Sequence, residues 1–265
     1  MKIASIQLAV VEDDKEAAIQ KASDAVLRCK GADLVILPEI WNVGFMSFDA
    51  YLPQAEPRDG PTLNAVRKAA AKIGAHVHAG SLVEKDGNRY FNASYLISPA
   101  GEILASYRKI HLFGYHSRET EILTPGDAVT VCQTPLGCLG LATCFDLRFP
   151  ELFRRMVEQG AEMFLVCSAW PQPRVDPWRL FNRVRAMENQ CFLVSANSAG
   201  SNRGATFAGH SMIVGPWGEI VAEAGEEETV IREEIDIGQV RAARKAFPAL
   251  ASRAGWLAMP ANQTE

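Results

Sequence analysis

The cysteine at position 144 is the residue of this chain best suited to covalent chemistry. It follows an apolar, strand-like segment (residues 139–143) and precedes a polar turn and a helix that opens near Pro150. A thiol at such an elbow faces a ligand, and the dipole of the following helix favours its thiolate form. The alternative is an inert buried cysteine, which is how we interpret the other five. Those five are Cys29, Cys132, Cys138, Cys167 and Cys191.

Two further reactive side chains stand where strand-like segments end. Glu39 follows the apolar segment 33–37 and Pro38, and Lys109 ends the segment 102–109. A carboxylate held by a proline at the end of a buried strand is an unusual surface charge, although a solvated loop glutamate is the alternative. Thiol-dependent amide hydrolysis needs a nucleophile, a proton carrier and an oxyanion site. Because no histidine accompanies this trio, a papain-type mechanism is disfavoured.

Length and composition are those of an ordinary globular protein. The chain has 265 residues, of which 48% are hydrophobic and 22% charged, with a net charge of −4. This balance disfavours nucleic acid as a partner. The sequence predicts no signal peptide and no membrane span. Six cysteines without a disulfide-like spacing are typical of a reducing cytoplasm, where we expect the protein to act.

Strand and helix patterns alternate along the whole chain and position these residues. Strands are predicted at 2–10, 33–37, 76–83, 90–98, 102–109, 129–134, 139–143, 163–168, 191–195, 207–214, 219–224 and 228–235. Helices are predicted at 12–30, 61–73, 150–159, 178–189 and 239–246. Residues 41–59 and 113–127 are irregular and are candidates to line a pocket. The pattern predicts one α/β domain over residues 1–265, with helices outside a two-sheet core and an irregular tail from about 247.

Three motifs in the order Glu, Lys, Cys resemble the nitrilase superfamily of carbon–nitrogen hydrolases. They are Leu-Pro-Glu at 37–39, Tyr-Arg-Lys-Ile-His-Leu at 107–112 and Cys-Phe-Asp-Leu-Arg-Phe-Pro-Glu at 144–151. The resemblance covers nearly the whole chain and is closest to the omega-amidase branch. It implies a four-layer αββα sandwich of two mixed sheets and hydrolysis of non-peptide C–N bonds in linear amides (EC 3.5.1 type). It also implies a homodimer or higher homo-oligomer. We expect no nucleotide cofactor because glycine-rich phosphate loops are absent, and no metal because His76 and His78 have no third ligand nearby.

The resemblance implies roles for the catalytic residues. Cys144 is expected to attack the amide carbon and form a thioester, with Glu39 carrying the proton. Lys109 and the backbone N–H of Phe145 are expected to stabilise the oxyanion. The superfamily often has a second glutamate after the lysine, and counting back from Pro-Gly-Asp at 125–127 favours Glu119 over Glu121.

Four residues are predicted to bind substrate, and each has a structural role as the alternative. Arg148 lies four residues past the nucleophile, so its guanidinium could bind a substrate carboxylate. The favoured alternative is a structural ion pair with Asp146 or Glu151. Trp170 and Tyr115 are candidate pocket walls together with Phe145, and simple packing is the alternative for each. Candidates of the same kind are Phe45 and His116.

The predicted reaction is hydrolysis of the omega-amide of a small dicarboxylate, such as 2-oxoglutaramate. Deaminated glutathione amidase and N-carbamoyl amide hydrolase are the alternatives within the superfamily. An aliphatic nitrilase is disfavoured because Phe145, rather than a tryptophan, follows the cysteine. A metabolite-binding scaffold is the non-enzyme alternative, and the intact Glu-Lys-Cys set argues against it.

Overall fold

A computed structural model describes residues 1–254, which form two six-stranded sheets, a two-stranded ribbon and surrounding helices. The strands are β1 (Lys2–Gln7), β2 (Leu34–Ile36), β3 (His76–Asp86), β4 (Arg89–Ile97), β5 (Ile103–Arg108), β6 (Val131–Thr134), β7 (Gly137–Thr143), β8 (Met163–Ser168), β9 (Phe192–Asn197), β10 (Ser201–Asn202), β11 (Ala205–Thr206), β12 (Met212–Val214), β13 (Ile220–Glu223) and β14 (Thr229–Glu234). The helices are α1 (Lys15–Leu27), α2 (Tyr51–Gln54), α3 (Pro61–Ile73), α4 (Glu119–Ile122), α5 (Pro150–Glu158), α6 (Val175–Asn189) and α7 (Gly238–Ala246). Cys144–Arg148 and Gln172–Arg174 are short 3-10 helices.

Both large sheets are mixed and have parallel strands at their centres. The first has the order β14-β1-β2-β3-β4-β5, with β1, β2 and β3 parallel to one another. The second has the order β13-β12-β9-β8-β7-β6, with β7, β8 and β9 parallel. These parallel strands are buried on both faces, as their near-continuous apolar sequences require.

The two sheets pack face to face, and helices cover their outer faces. One core cluster joins Leu34 and Ile36 of the first sheet to Leu141 and Leu165 of the second. The Ser5 hydroxyl donates to the Ser195 carbonyl oxygen (2.7 Å), which ties β1 to β9 across this interface. Helices α1 and α3 pack on the first sheet, whereas α5 and α6 pack on the second. This architecture confirms the predicted αββα sandwich.

Several predicted boundaries differ from the structure. The strand predicted at 207–214 is only β12, because the backbone N–H groups of residues 207–210 donate to carbonyl oxygens of loop residues instead of to a neighbouring strand. The N–H of Ala208, for example, donates to the Trp170 carbonyl oxygen (2.8 Å). The irregular segments 41–59 and 113–127 each contain one short helix, α2 and α4. The tail predicted from about 247 extends beyond the described residues. None of the helices within 1–254 has the length and apolar character needed to cross a membrane.

Candidate active site

The carboxyl ends of strands from both sheets meet at one edge of the sandwich. Glu39 follows β2, Lys109 follows β5 and Cys144 follows β7. The N–H of Glu39 donates to the carbonyl oxygen of Ser168 at the end of β8 (3.3 Å), which joins the two sheets at this point. The Glu39 Oε2 atom also accepts a hydrogen bond from the N–H of Ala169 (3.0 Å). The fold therefore brings together residues more than a hundred positions apart in sequence.

Lys109 is the centre of a buried charged cluster. Its ammonium lies 2.8 Å from Glu39 Oε1 and 2.9 Å from Glu119 Oε2, and all three side chains are fully buried. It also lies 5.3 Å from the centre of the Phe45 ring. Burial favours the neutral amine, yet the carboxylates of Glu119 and Glu39 outweigh burial and raise the pKa of Lys109 well above its usual value. The lysine is therefore a fixed cation.

Helix α4 delivers Glu119, not Glu121, to this cluster. The N–H of Phe113 donates to Glu119 Oε2 (2.7 Å), which fixes the carboxylate next to Lys109. Burial and the nearby charge of Glu39 raise the pKa of Glu119, against the lowering effect of Lys109. Glu121 instead faces solvent and pairs with Arg118 (3.0 Å). The geometry thus favours Glu119 as the second glutamate.

Cys144 occupies a strained turn beside a cavity. Its φ of +49° is in the left-handed region that non-glycine residues rarely adopt. Thr143 and Asp146 hold the turn through a capping box, in which the N–H of Thr143 donates to Asp146 Oδ2 (2.9 Å). Asp146 in turn accepts hydrogen bonds from Tyr107 and pairs with His111, so the turn is anchored to β5. The residue is only 7% exposed, and that part lines a cavity.

Burial disfavours the thiolate form of Cys144, which opposes the effect expected from the dipole of the following helix. Burial and the charge of Glu39 raise the pKa of Cys144 well above 9.0, although Lys109 opposes them. The helix dipole contributes little because α5 begins at Pro150, six residues after the thiol. Formation of the thiolate therefore requires a base at the moment of attack.

The cavity beside Cys144 has a volume of about 180 Å³ and aromatic walls. All four residues predicted to bind substrate line it: Phe145, Trp170, Arg148 and Tyr115. Of these, Tyr115 is mostly exposed, at 62%, and lies at the cavity mouth. The rest of the lining consists of Phe45, Met46, Phe113, His116, Ala169, Pro171, Arg174, Ala205 and Phe207. Drug-sized ligands occupy cavities of about 300–1,000 Å³, so this one suits a smaller molecule.

Arg148 does not form the ion pair that the sequence favoured. Asp146 is occupied by other donors, and no ion pair joins Arg148 to Asp146 or Glu151 within residues 1–254. Its guanidinium lies instead over the rings of Trp170 (5.2 Å) and Phe181 (5.1 Å). The structural alternative for Arg148 is therefore wrong in the form predicted.

Sequence reasoning missed Asn92 and Arg174. Asn92, on β4, donates through Nδ2 to Glu39 Oε1 (2.8 Å) and Glu119 Oε1 (2.9 Å), so it spaces the two carboxylates. An amide in the middle of a buried apolar strand was the available signal. Arg174 lines the cavity from the 3-10 helix before α6, and only its place in an irregular, proline-rich segment marked it.

No group of three or more histidine, cysteine or acidic side chains in the described chain could hold a metal ion. His78 is fully buried, and burial lowers its pKa to about 3, so it is neutral.

Comparisons with known proteins agree with this geometry. The carbon-nitrogen hydrolase family model matches residues 2–245. The chain is 36% identical to the 2-oxoglutaramate amidase of Bacillus subtilis over 220 residues, which is 83% of this chain and 84% of that protein. It is 34% identical to the omega-amidase NIT2 of Xenopus tropicalis over 228 residues, which is 83% of this chain and 82% of that protein.

A solved structure shares the fold. A CN-hydrolase superfamily protein from Xanthomonas campestris, which carries an arsenic adduct in its active site, superimposes with a TM-score of 0.90. The two chains are 29% identical, and the match covers 96% of this chain and 97% of that one.

Proposed function

Because this chain belongs to the carbon-nitrogen hydrolase family, we propose that it is an omega-amidase using Cys144 as its nucleophile. Its substrate is the omega-amide of a small dicarboxylate, such as 2-oxoglutaramate, and its products are the dicarboxylate and ammonia. The observation that carries this proposal is the buried ammonium of Lys109, held by two carboxylates beside a cavity-lining thiol.

In the first half of the reaction, Cys144 attacks the amide carbon. Glu39 accepts the thiol proton as the sulphur–carbon bond forms, which suits a thiol whose pKa is raised. The oxyanion that develops is stabilised by Lys109 and by the N–H of Phe145. Glu39 then passes its proton to the nitrogen, the C–N bond breaks, and ammonia leaves a thioester behind.

In the second half, water replaces ammonia. Glu39 removes a proton from the water as the oxygen attacks the thioester carbon, and Lys109 again stabilises the oxyanion. Collapse of this intermediate breaks the carbon–sulphur bond, releases the carboxylate and returns a proton to the thiol. Glu119 and Asn92 keep Lys109 and Glu39 in place, which their hydrogen bonds support.

The test is ammonia release from a substrate panel. The panel contains 2-oxoglutaramate, succinamate, glutamine, an N-carbamoyl amino acid, deaminated glutathione and a simple nitrile. We expect turnover of 2-oxoglutaramate and succinamate, abolished in Cys144→Ala. Preference for deaminated glutathione or for the N-carbamoyl amino acid would show that the enzyme has the substrate specificity of another branch of the superfamily. Full activity in Cys144→Ala would refute the mechanism.

We also propose that the protein acts as a homodimer in the cytoplasm. Free thiols throughout the chain support a reducing compartment. Leu180 and Met187 on α6 are 58% and 50% exposed, which supports pairing through this helix. Sedimentation velocity should show a dimer that Leu180→Glu dissociates. Leu52→Glu, at another exposed leucine outside this face, is the matched control, and a monomeric wild type would contradict the proposal.

A further inference from the structure

Two arginines that line the cavity have no acidic partner. Arg148 lies over Trp170 and Phe181, and Arg174 lies over Phe113 (5.6 Å) and Tyr115 (5.2 Å). Within residues 1–254, neither guanidinium makes an ion pair. Other arginines within residues 1–254 do pair with carboxylates: Arg108 with Glu84, Arg185 with Glu188 and Arg203 with Asp13.

The cavity is therefore positive and uncompensated. Among the described residues its lining contains no carboxylate, and the acids of the charged cluster are already bound to Lys109. Burial and the charge of Arg174 lower the pKa of Arg148. Two like charges close enough to affect each other repel, and an anion between them would relieve that repulsion.

We propose that Arg174, together with Arg148, forms a subsite for the free carboxylate at the far end of the substrate. This inference rests on the proposed omega-amidase function and specifies how the site selects its substrates. A guanidinium donates two parallel hydrogen bonds to a carboxylate, and an amide without a free carboxylate has no group that could accept both. The enzyme thus discriminates omega-amides of dicarboxylates from uncharged amides of the same length.

Both arginines are held in fixed positions relative to the nucleophile. Arg148 closes the 3-10 helix that begins at Cys144. The Trp170 indole N–H donates to the carbonyl oxygen of Arg174 (2.7 Å), which fixes the second 3-10 helix against the cavity wall. Because the tryptophan ring also supports Arg148, one side chain organises both cations. A substrate anchored here would present its other end to the thiol at a constant distance.

The test compares succinamate with butyramide, which has a methyl group where succinamate has its free carboxylate. In Arg174→Gln, we expect kcat/KM for succinamate to fall roughly 10- to 100-fold, mainly through KM, as for loss of a charged hydrogen bond. Butyramide should change less than about threefold on the same reasoning, since it makes no such bond. Arg174→Lys should recover part of the loss because it keeps the charge. Arg179→Gln is the matched control, since Arg179 pairs with Glu223 on the surface of α6.

A second measurement does not depend on turnover. Succinate should protect Cys144 from alkylation by iodoacetamide in the wild type and in Arg179→Gln, but not in Arg174→Gln. Equal effects on succinamate and butyramide, or protection that survives Arg174→Gln, would overturn the subsite. If the wild type releases no ammonia from any amide while succinate still protects the thiol, the proposed reaction fails and the subsite stands.

Discussion

Replacing Glu119 with glutamine tests whether the buried charged cluster needs two carboxylates. Every hydrogen-bonding partner of the Glu119 carboxylate is a donor. Oε1 accepts from Asn92 (2.9 Å) and Lys109 (3.0 Å), and Oε2 accepts from Phe113 N–H (2.7 Å) and Lys109 (2.9 Å). A glutamine has one acceptor oxygen and one donor nitrogen. In either orientation, its NH₂ group faces two donors.

The expected cost follows from these contacts. Glu119→Gln weakens one charge-assisted hydrogen bond to Lys109 and leaves one other donor unpaired, which costs about 2–3 kcal/mol. If this loss of about 2–3 kcal/mol raises the free energy of the transition state, in which Lys109 stabilises the oxyanion, kcat falls roughly 30- to 150-fold. KM should change little, because Glu119 is fully buried outside the cavity lining.

The assay is steady-state ammonia release from succinamate, with thermal unfolding of each variant to confirm folding. Glu121→Gln is the control, because Glu121 lies two residues away on the exposed side of α4 and pairs only with Arg118. It should keep the wild-type kcat. A Glu119→Gln enzyme with kcat within twofold of wild type would refute the argument, as would an equal loss in Glu121→Gln.

Three further predictions concern the pKa of Cys144, the close packing at Gly80 and the effect of His78 on stability. Glu39→Gln should lower the pKa of Cys144, because the charge of Glu39 raises it. The rate of iodoacetamide labelling should therefore begin to increase at a lower pH than in the wild type. An unchanged pH profile of labelling would contradict the effect of Glu39 on the thiol. Gly80→Ala should lower the urea midpoint strongly, because its φ is +65° and a Cβ would lie 1.9 Å from the carbonyl oxygen preceding Glu39. Gly87→Ala, with φ +59° and open space, should cost only about 1–2 kcal/mol of left-handed strain, and equal losses would refute the steric argument. The contribution of His78 to the free energy of unfolding should be fully present above pH 6.5 and be lost as the pH falls toward 3, because the unfolded chain binds a proton at this histidine over that range and the folded chain does not. In urea titrations at several pH values, His78→Gln should therefore make the free energy of unfolding less dependent on pH. An unchanged pH dependence would contradict the lowered pKa of His78.

The sequence identified the residues at strand ends because their signals are local. Glu39 and Cys144 each follow a short apolar run and precede residues that break a strand, so their position at the carboxyl end of a strand can be predicted from the local sequence. The alternation of strands and helices likewise predicted the two-sheet sandwich. The family resemblance added the catalytic roles expected of Glu39, Lys109 and Cys144.

The remaining features depend on contacts between distant segments. Asn92, on β4, contacts Glu39 and Glu119, which lie 53 and 27 positions away in sequence, and no local pattern predicts these side-chain contacts. The raised pKa of Cys144 could not be read from the sequence, because burial and the charge of Glu39, which lies on the other sheet, both depend on the folded structure. Arg148 was assigned a neighbouring acid, but Asp146 is bound to Tyr107 and His111, which lie far away in sequence.

Acylation of Cys144 by an amide substrate is tested most directly by rapid-quench mass spectrometry. The enzyme is mixed with succinamate, quenched in acid within the first turnovers and digested. We predict a mass increase of one succinyl group on the peptide that contains Cys144, absent in Cys144→Ala. Ammonia release without this adduct, or an adduct on Cys167 instead, would contradict the account.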